Sequence, residues 1–186
     1  EDARQQMAFI QGAVERMSEL IHDLLEYSRL SNQAASERVD LGQLAQEVVD
    51  DAAATISELG AVVEVGALPT MRVYRAAVRL LVQNLVTNAL KFRHPDRVPH
   101  VRITATPVPR GVELRVQDNG IGIAPKHREQ VFKIFKRLHR REEIPGTGIG
   151  LAQCMRAVQL HLGAIHIEDA PGGGAVFVVR LEELPP

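Results

Sequence analysis

Gly146-Thr147-Gly148-Ile149-Gly150-Leu151 opens an apolar run that keeps helical spacing to about Leu162. Backbone amides at a helix start have no intrahelical partner and carry the positive end of the helix dipole, so a flexible approach to them makes an anion site. Alone, a glycine-rich stretch is a weak signal, and its surroundings decide its meaning. Just upstream lies the charged run 136–143, preceded by Val131-Phe132-Lys133-Ile134-Phe135, where the spacing predicts a short helix over 128–135. Further back, residues 101–106 and 112–117 alternate as two strands joined by Pro109-Arg110-Gly111, and the second runs into Asp118-Asn119-Gly120-Ile121-Gly122-Ile123. Downstream, Ile165, Ile167, Val176, Val178 and Leu181 are expected to alternate around Gly172-Gly173-Gly174 as a closing hairpin.

Residues 76–92 read as a further helix, with Val78, Leu81, Leu85 and Ala89 on its apolar face. Asn84, Asn88 and Lys91 are spaced four and three apart, so all three can point into one pocket. Amide oxygens suit Mg²⁺, an ammonium suits phosphate, and Phe92 adds a flat apolar surface. In isolation, two helical asparagines are ordinary surface residues, Asp-Asn-Gly is ordinary turn chemistry, and two phenylalanines three apart are ordinary core. A strand at Val62–Val65 and a break at Pro69 complete a mixed, mostly antiparallel sheet with three main helices, an α/β two-layer sandwich.

The amino-terminal segment has another periodicity. Met7, Ile10, Val14, Met17, Ile21 and Leu24 recur at alternating spacings of three and four, widened by Ala13, Leu20 and Tyr27. Such a stripe needs partner helices, which predicts a homodimer through this helix. The stripe ends near Leu30. Residues 31–39 read as a connector, and Asp40 is placed to cap a helix beginning at Leu41. The expected organisation is a helix over 1–30, a linker over 31–39 and a globular domain over 40–186.

A net charge of −1 leaves no basic excess to follow a phosphate backbone, which argues against nucleic acid as a partner. Cys154 is the single cysteine, so an internal disulfide is excluded, and its apolar run predicts a buried thiol. No stretch approaches the roughly 20 apolar residues of a membrane span, so a cytoplasmic segment without membrane contact is expected. The chain begins without methionine and in mid-helix by pattern, as a piece of a longer protein would. His94, His100, His127, His139, His161 and His166 are too dispersed for a metal site.

The segments 84–92, 118–123, 131–135 and 146–151 resemble, in order, the N, G1, F and G2 boxes of sensor histidine kinases. The resemblance extends to Leu20-Ile-His-Asp-Leu-Leu-Glu-Tyr-Ser-Arg-Leu30, similar to the end of the second dimerisation helix, and to Val39-Asp40-Leu41, similar to the start of the catalytic domain. The run 136–143, with Lys91-Phe92-Arg93, is most similar to phytochrome-type kinases. The family implies the Bergerat-type ATP-binding fold, with ATP and Mg²⁺ as ligands and a response regulator as partner. It places Asn84, Asn88, Lys91, Phe92, Asp118, Gly120, Gly122, Ile123, Phe135, Gly146, Thr147, Gly148, Ile149, Gly150 and Leu151 at the nucleotide. Within that set, Asn88 would ligate Mg²⁺, Asn84 would support that site, Lys91 would contact phosphate and Asp118 would accept from the adenine amino group.

By the same resemblance, the γ-phosphoryl passes to a histidine and onward to a response-regulator aspartate. The alternative is a nucleotide-regulated module acting mainly as a response-regulator phosphatase. The acceptor pattern His-Glu/Asp-Leu-Arg-x-Pro does not occur in this sequence; His22-Asp23 starts it, but Leu24-Leu25-Glu26 does not continue it. ATP-hydrolysing relatives of the fold carry a glutamate where Asn84 stands, and an amide cannot serve as general base, which favours transfer over hydrolysis. Two departures stand out: Tyr74 where many relatives open the N-box helix with aspartate, and His161-Leu162-Gly163 in place of His-Gly-Gly. Lys136, Arg137, Arg140 and Arg141 are further candidates for phosphate contact.

Overall fold

The computed structural model describes residues 2–30, 35–138 and 146–185. Helix α1 (Asp2–Arg29) is followed by strand β1 (Glu37–Asp40), helices α2 (Leu41–Asp51) and α3 (Ala53–Leu59), and strands β2 (Val62–Val65) and β3 (Thr70–Val73). Helix α4 (Arg75–Lys91) leads to the hairpin β4 (His100–Val108) and β5 (Gly111–Asp118); helix α5 (Gly150–Leu160) leads to the hairpin β6 (Ala164–Asp169) and β7 (Ala175–Glu182). The main sheet has the order β2-β4-β5-β7-β6, with β2 parallel to β4 and every other pair antiparallel. This is the expected mixed, mostly antiparallel sheet.

Helices α2, α4 and α5 bury one face of that sheet. Leu44 and Val48 of α2, Leu81 and Leu85 of α4, and Cys154 and Val158 of α5 meet Ile103, Leu114, Val116 and Val179 in a single core. Asp40 caps α2 as its position predicts, its Oδ1 accepting from the amides of Gly42 and Gln43 at 2.8 and 3.0 Å. Caps of this kind contribute about 1 kcal/mol. The Cys154 thiol is fully buried, and that burial holds it in the protonated form.

Four expectations need correction. The linker ends earlier than 39, because Glu37–Asp40 is a strand, paired antiparallel with Thr70–Val73 and burying Val39. Residues 128–135 form no α-helix: Pro125–His127 and Gln130–Phe132 are separate 3-10 turns. Only Val131 is buried there and Phe135 takes a left-handed φ of 63°, so the segment has neither the apolar face nor the continuity a helix needs. The alternation across Val176, Val178 and Leu181 also fails, since Leu181 has the opposite parity. Strand β7 is buried on both sides: Phe177, Val179 and Leu181 face the helices, while Val176 and Val178 pack with Ala170 behind the sheet. Finally, the apolar face of α2 stops short of Ala52, which turns the chain into α3.

Candidate functional site

Strand alternation sets the floor of the site. Along β5 the inward positions are Val112, Leu114, Val116 and then Asp118, so a carboxylate takes the next place in an apolar row. Asp118 is 9% exposed, and its Oδ1 accepts from the amides of Gly120 at 2.8 Å and Ala175 at 3.1 Å. Burial raises its pKa above the ordinary carboxylate range, and the two amides pull it part of the way back. Oδ2 is the oxygen left for a ligand. The neighbouring Asn119 faces away, clamping the loop before β4 by accepting from the His100 amide and donating to the Val98 carbonyl, both at 2.8 Å.

Helix α4 forms one wall. Its period carries Leu81, Leu85 and Ala89 into the core and turns Asn84, Thr87, Asn88 and Lys91 toward a cavity of about 1010 Å³. The end of α4 is tied to the floor, because the Ile121 amide donates to the Phe92 carbonyl at 3.0 Å. Gly120 lies so close to that carbonyl that a Cβ would approach its oxygen to 2.3 Å, which admits only glycine. The Lys91 ammonium sits 5.3 Å from the centre of the Phe92 ring and beside Gly146, where a Cβ would come within 2.3 Å of Nζ. Glycine there gives the ammonium its place at the mouth of the loop into α5.

The opposite wall is the start of α5. Ile149 precedes it without any side-chain cap, so its first amides remain open as the sequence predicts for an anion site. Gly146, Thr147, Gly148, Gly150 and Leu151 line the cavity, as do Asn84, Asn88, Lys91, Phe92, Asp118, Gly122 and Ile123. Three expected residues do not. Ile149 is fully buried beneath the loop, Gly120 is behind Asp118 in a supporting role, and Phe135 is 61% exposed outside the cavity, its amide donating to the Gly148 carbonyl. Lys136 and Arg137 reach the cavity, Arg137 donating to the Gly146 carbonyl, while Arg140 and Arg141 fall outside the described residues.

Several further residues line the cavity that were not among the expected site residues. Val131, Leu138, Ala175 and Phe177 add apolar surface, and Ser18, His22 and Asp23 enter from α1. Gln153, 3% exposed, accepts from Asn84 Nδ2 at 2.9 Å and donates to the Asp23 carbonyl at 2.9 Å. The Asn88 side chain, by contrast, makes no hydrogen bond to any described residue, although its backbone carbonyl accepts from the Phe92 amide, and its amide group is open to a ligand. Among the described residues no cluster of three or more His, Cys, Asp or Glu side chains could hold a metal by itself. A Mg²⁺ bound here would take an amide oxygen from Asn88 and the rest of its oxygen shell from phosphates and water, which fits a hard cation carried in on a nucleotide.

A cavity of this size, with a buried acceptor, an ammonium and an open helix start, defines a nucleotide-binding α/β domain. Residues 74–185 match the family described as Histidine kinase-, DNA gyrase B-, and HSP90-like ATPase. The chain is 39% identical over 182 residues to the phytochrome-like protein Cph1 of Synechocystis, covering 95% of this chain and 24% of that protein. It is 33% identical over 179 residues to the sensor histidine kinase CpxA of Escherichia coli, covering 92% of this chain and 38% of CpxA. In structure it resembles full-length ShkA in complex with AMPPNP, with a TM-score of 0.76 and 25% identity, over 100% of this chain and 40% of that one. The chain therefore belongs to this ATPase family. Its place is in the histidine-kinase branch, with likeness to the phytochrome-type members, and it spans between about a quarter and two fifths of the length of those curated relatives.

Proposed function

We propose that this chain binds Mg·ATP in the cavity between α4, β5 and α5 and holds the γ-phosphoryl group for transfer to a histidine of the parent protein. Asp118 Oδ2 accepts from the adenine amino group, a test guanine fails because it presents a carbonyl there. Lys91 and the first amides of α5 hold phosphate oxygens, and Phe92 supplies an apolar surface. Asn88 is the protein ligand to Mg²⁺, with Asn84 held in register by Gln153. When bound, the metal neutralises charge on the phosphates. The observation that carries this reading is the convergence of Asp118, Asn88, Lys91 and the uncapped start of α5 on one cavity.

Asn84 cannot take a proton from water, so the γ-phosphoryl persists until a better nucleophile arrives. In the transfer, a histidine ring nitrogen forms a bond to the γ-phosphorus as the bond to the β,γ-bridging oxygen breaks, leaving ADP. Passage to a response-regulator aspartate follows. In this reading residues 1–30 are the second helix of the dimerisation unit and the ATP-binding domain follows from the β1 strand onward. The test is γ-labelled ATP with the parent protein and its cognate regulator. Label moving from histidine to regulator supports the kinase reading, whereas a regulator that only loses phosphate supports the phosphatase alternative. The 186-residue chain should bind Mg·ATP without labelling itself, and label on His22 would contradict this assignment.

A further inference from the structure

Helix α1 reaches into the cavity at one point. The Thr147 hydroxyl donates to Asp23 Oδ2, and the Gln153 side chain donates to the Asp23 carbonyl oxygen at 2.9 Å. Thr147 stands two residues before the cap position of α5, whose first amides lack a side-chain cap. The Asp23 carboxylate thus lies where the positive end of the α5 dipole and a hydroxyl donor favour an anion. Ser18 and His22, which precede it in the helix, line the same cavity.

We infer that Asp23 is an internal competitor for the nucleotide's phosphates, a latch that ties α1 to the start of α5 and that a polyphosphate must displace. The inference rests on the nucleotide reading above and adds a regulation to it. Two anions cannot share one helix start, and a Thr147 hydroxyl committed to Asp23 cannot donate to phosphate. Gln153 extends the contact, because it holds both the Asp23 carbonyl and Asn84. By linkage, a nucleotide that weakens α1 docking is itself bound less tightly while α1 is docked. Since α1 also carries the exposed apolar stripe, nucleotide state and helix association become coupled through one carboxylate.

The sign of the effect makes the inference testable on the 186-residue chain. ATP, ADP and adenosine are titrated calorimetrically, each with Mg²⁺, into the wild type, Asp23→Asn and Asp23→Ala. Removing a charge near the phosphates should tighten ATP binding roughly fivefold in both variants, with a smaller gain for ADP. Adenosine, which has no phosphate, should bind equally to all three proteins. The ATP gain should shrink in high salt. In the wild type, ATP should also raise the hydrogen-exchange rate of residues 18–27. Unchanged or weakened ATP binding in both variants would overturn the latch alone, a weakened response indicating that the carboxylate serves the bound metal. An equal gain for adenosine would overturn the competition by charge. If none of the three ligands bound any of the proteins, the nucleotide reading itself would fall and the latch with it.

Discussion

Asn88 and Leu162 show how a single residue exposes a local cost or a local opening. Asn88 is half-buried on the cavity wall, and its side-chain amide has no hydrogen-bond partner among the described residues, although burying an amide favours pairing it. A ligand that pairs it gains the bond, so Asn88→Ala should weaken Mg²⁺-dependent nucleotide affinity by about 1–3 kcal/mol while leaving the thermal midpoint nearly unchanged. Loss of the folded state, followed by circular dichroism, would make Asn88 a structural residue instead. Leu162 follows α5 with a φ of 50° and is 72% exposed, so its side chain contributes little burial to offset a left-handed backbone. Leu162→Gly should raise stability by about 0.5–1 kcal/mol in urea unfolding, the relief of strain outweighing the added freedom of the unfolded chain. Asn84, Asn88 and Lys91 were legible in sequence because the helical period sets them on one face, and Asp118 only because residues 118–123 resemble the G1 box. Asp23 and Gln153 were not, because their partners are 124 and 69 residues away or more and nothing local marks the meeting.

Elements with a strong period were legible, and those without one were not. Helix α4 and the β4–β5 hairpin each repeat a buried face over many residues, whereas β1 buries only Val39 and draws its structure from pairing with β3. The junction of α4 and α5 likewise depends on a contact that spacing cannot show. The His161 Nε2 accepts from the Tyr74 amide at 3.1 Å, and Nδ1 donates to the Ala157 carbonyl at 2.8 Å, so a neutral ring ties the end of α5 to the start of α4. That bond lies beside the uncapped α4 start, where Tyr74 supplies no side-chain cap. Burial lowers the His161 pKa below its ordinary value of about 6.5. The sign follows: below about pH 6.5 the unfolded chain takes up a proton that the folded chain refuses, so stability falls with pH and is restored above that value. His161→Leu should therefore be less stable than the wild type at pH 7, and urea midpoints should show the gap narrowing toward pH 5. A gap independent of pH would mean that the ring is not held neutral.

At the scale of the whole molecule, the domain is closed on itself but α1 is not. Met7, Ile10, Val14, Met17, Ile21 and Leu24 are 50–62% exposed in one stripe, and no described helix is long and apolar enough to cross a membrane. Apolar surface left in water costs roughly 25 cal/mol per Å², and association removes it. The full chain should sediment as a dimer or larger species, and a chain starting at Ser36, which keeps β1, as a monomer; equal behaviour of the two would remove the stripe as the interface. In the proposed reading the site gives the molecule its chemistry, and Asp118, the buried carboxylate on its floor, selects the base. The decisive measurement is calorimetric titration of the 186-residue chain with Mg·ATP and Mg·GTP, in the wild type and in Asp118→Asn. Saturable ATP binding that exceeds GTP binding and is weakened by about 1–3 kcal/mol in the variant is the predicted result; ATP affinity unchanged by the substitution, or no binding of ATP at all, would contradict adenine-nucleotide recognition by this cavity.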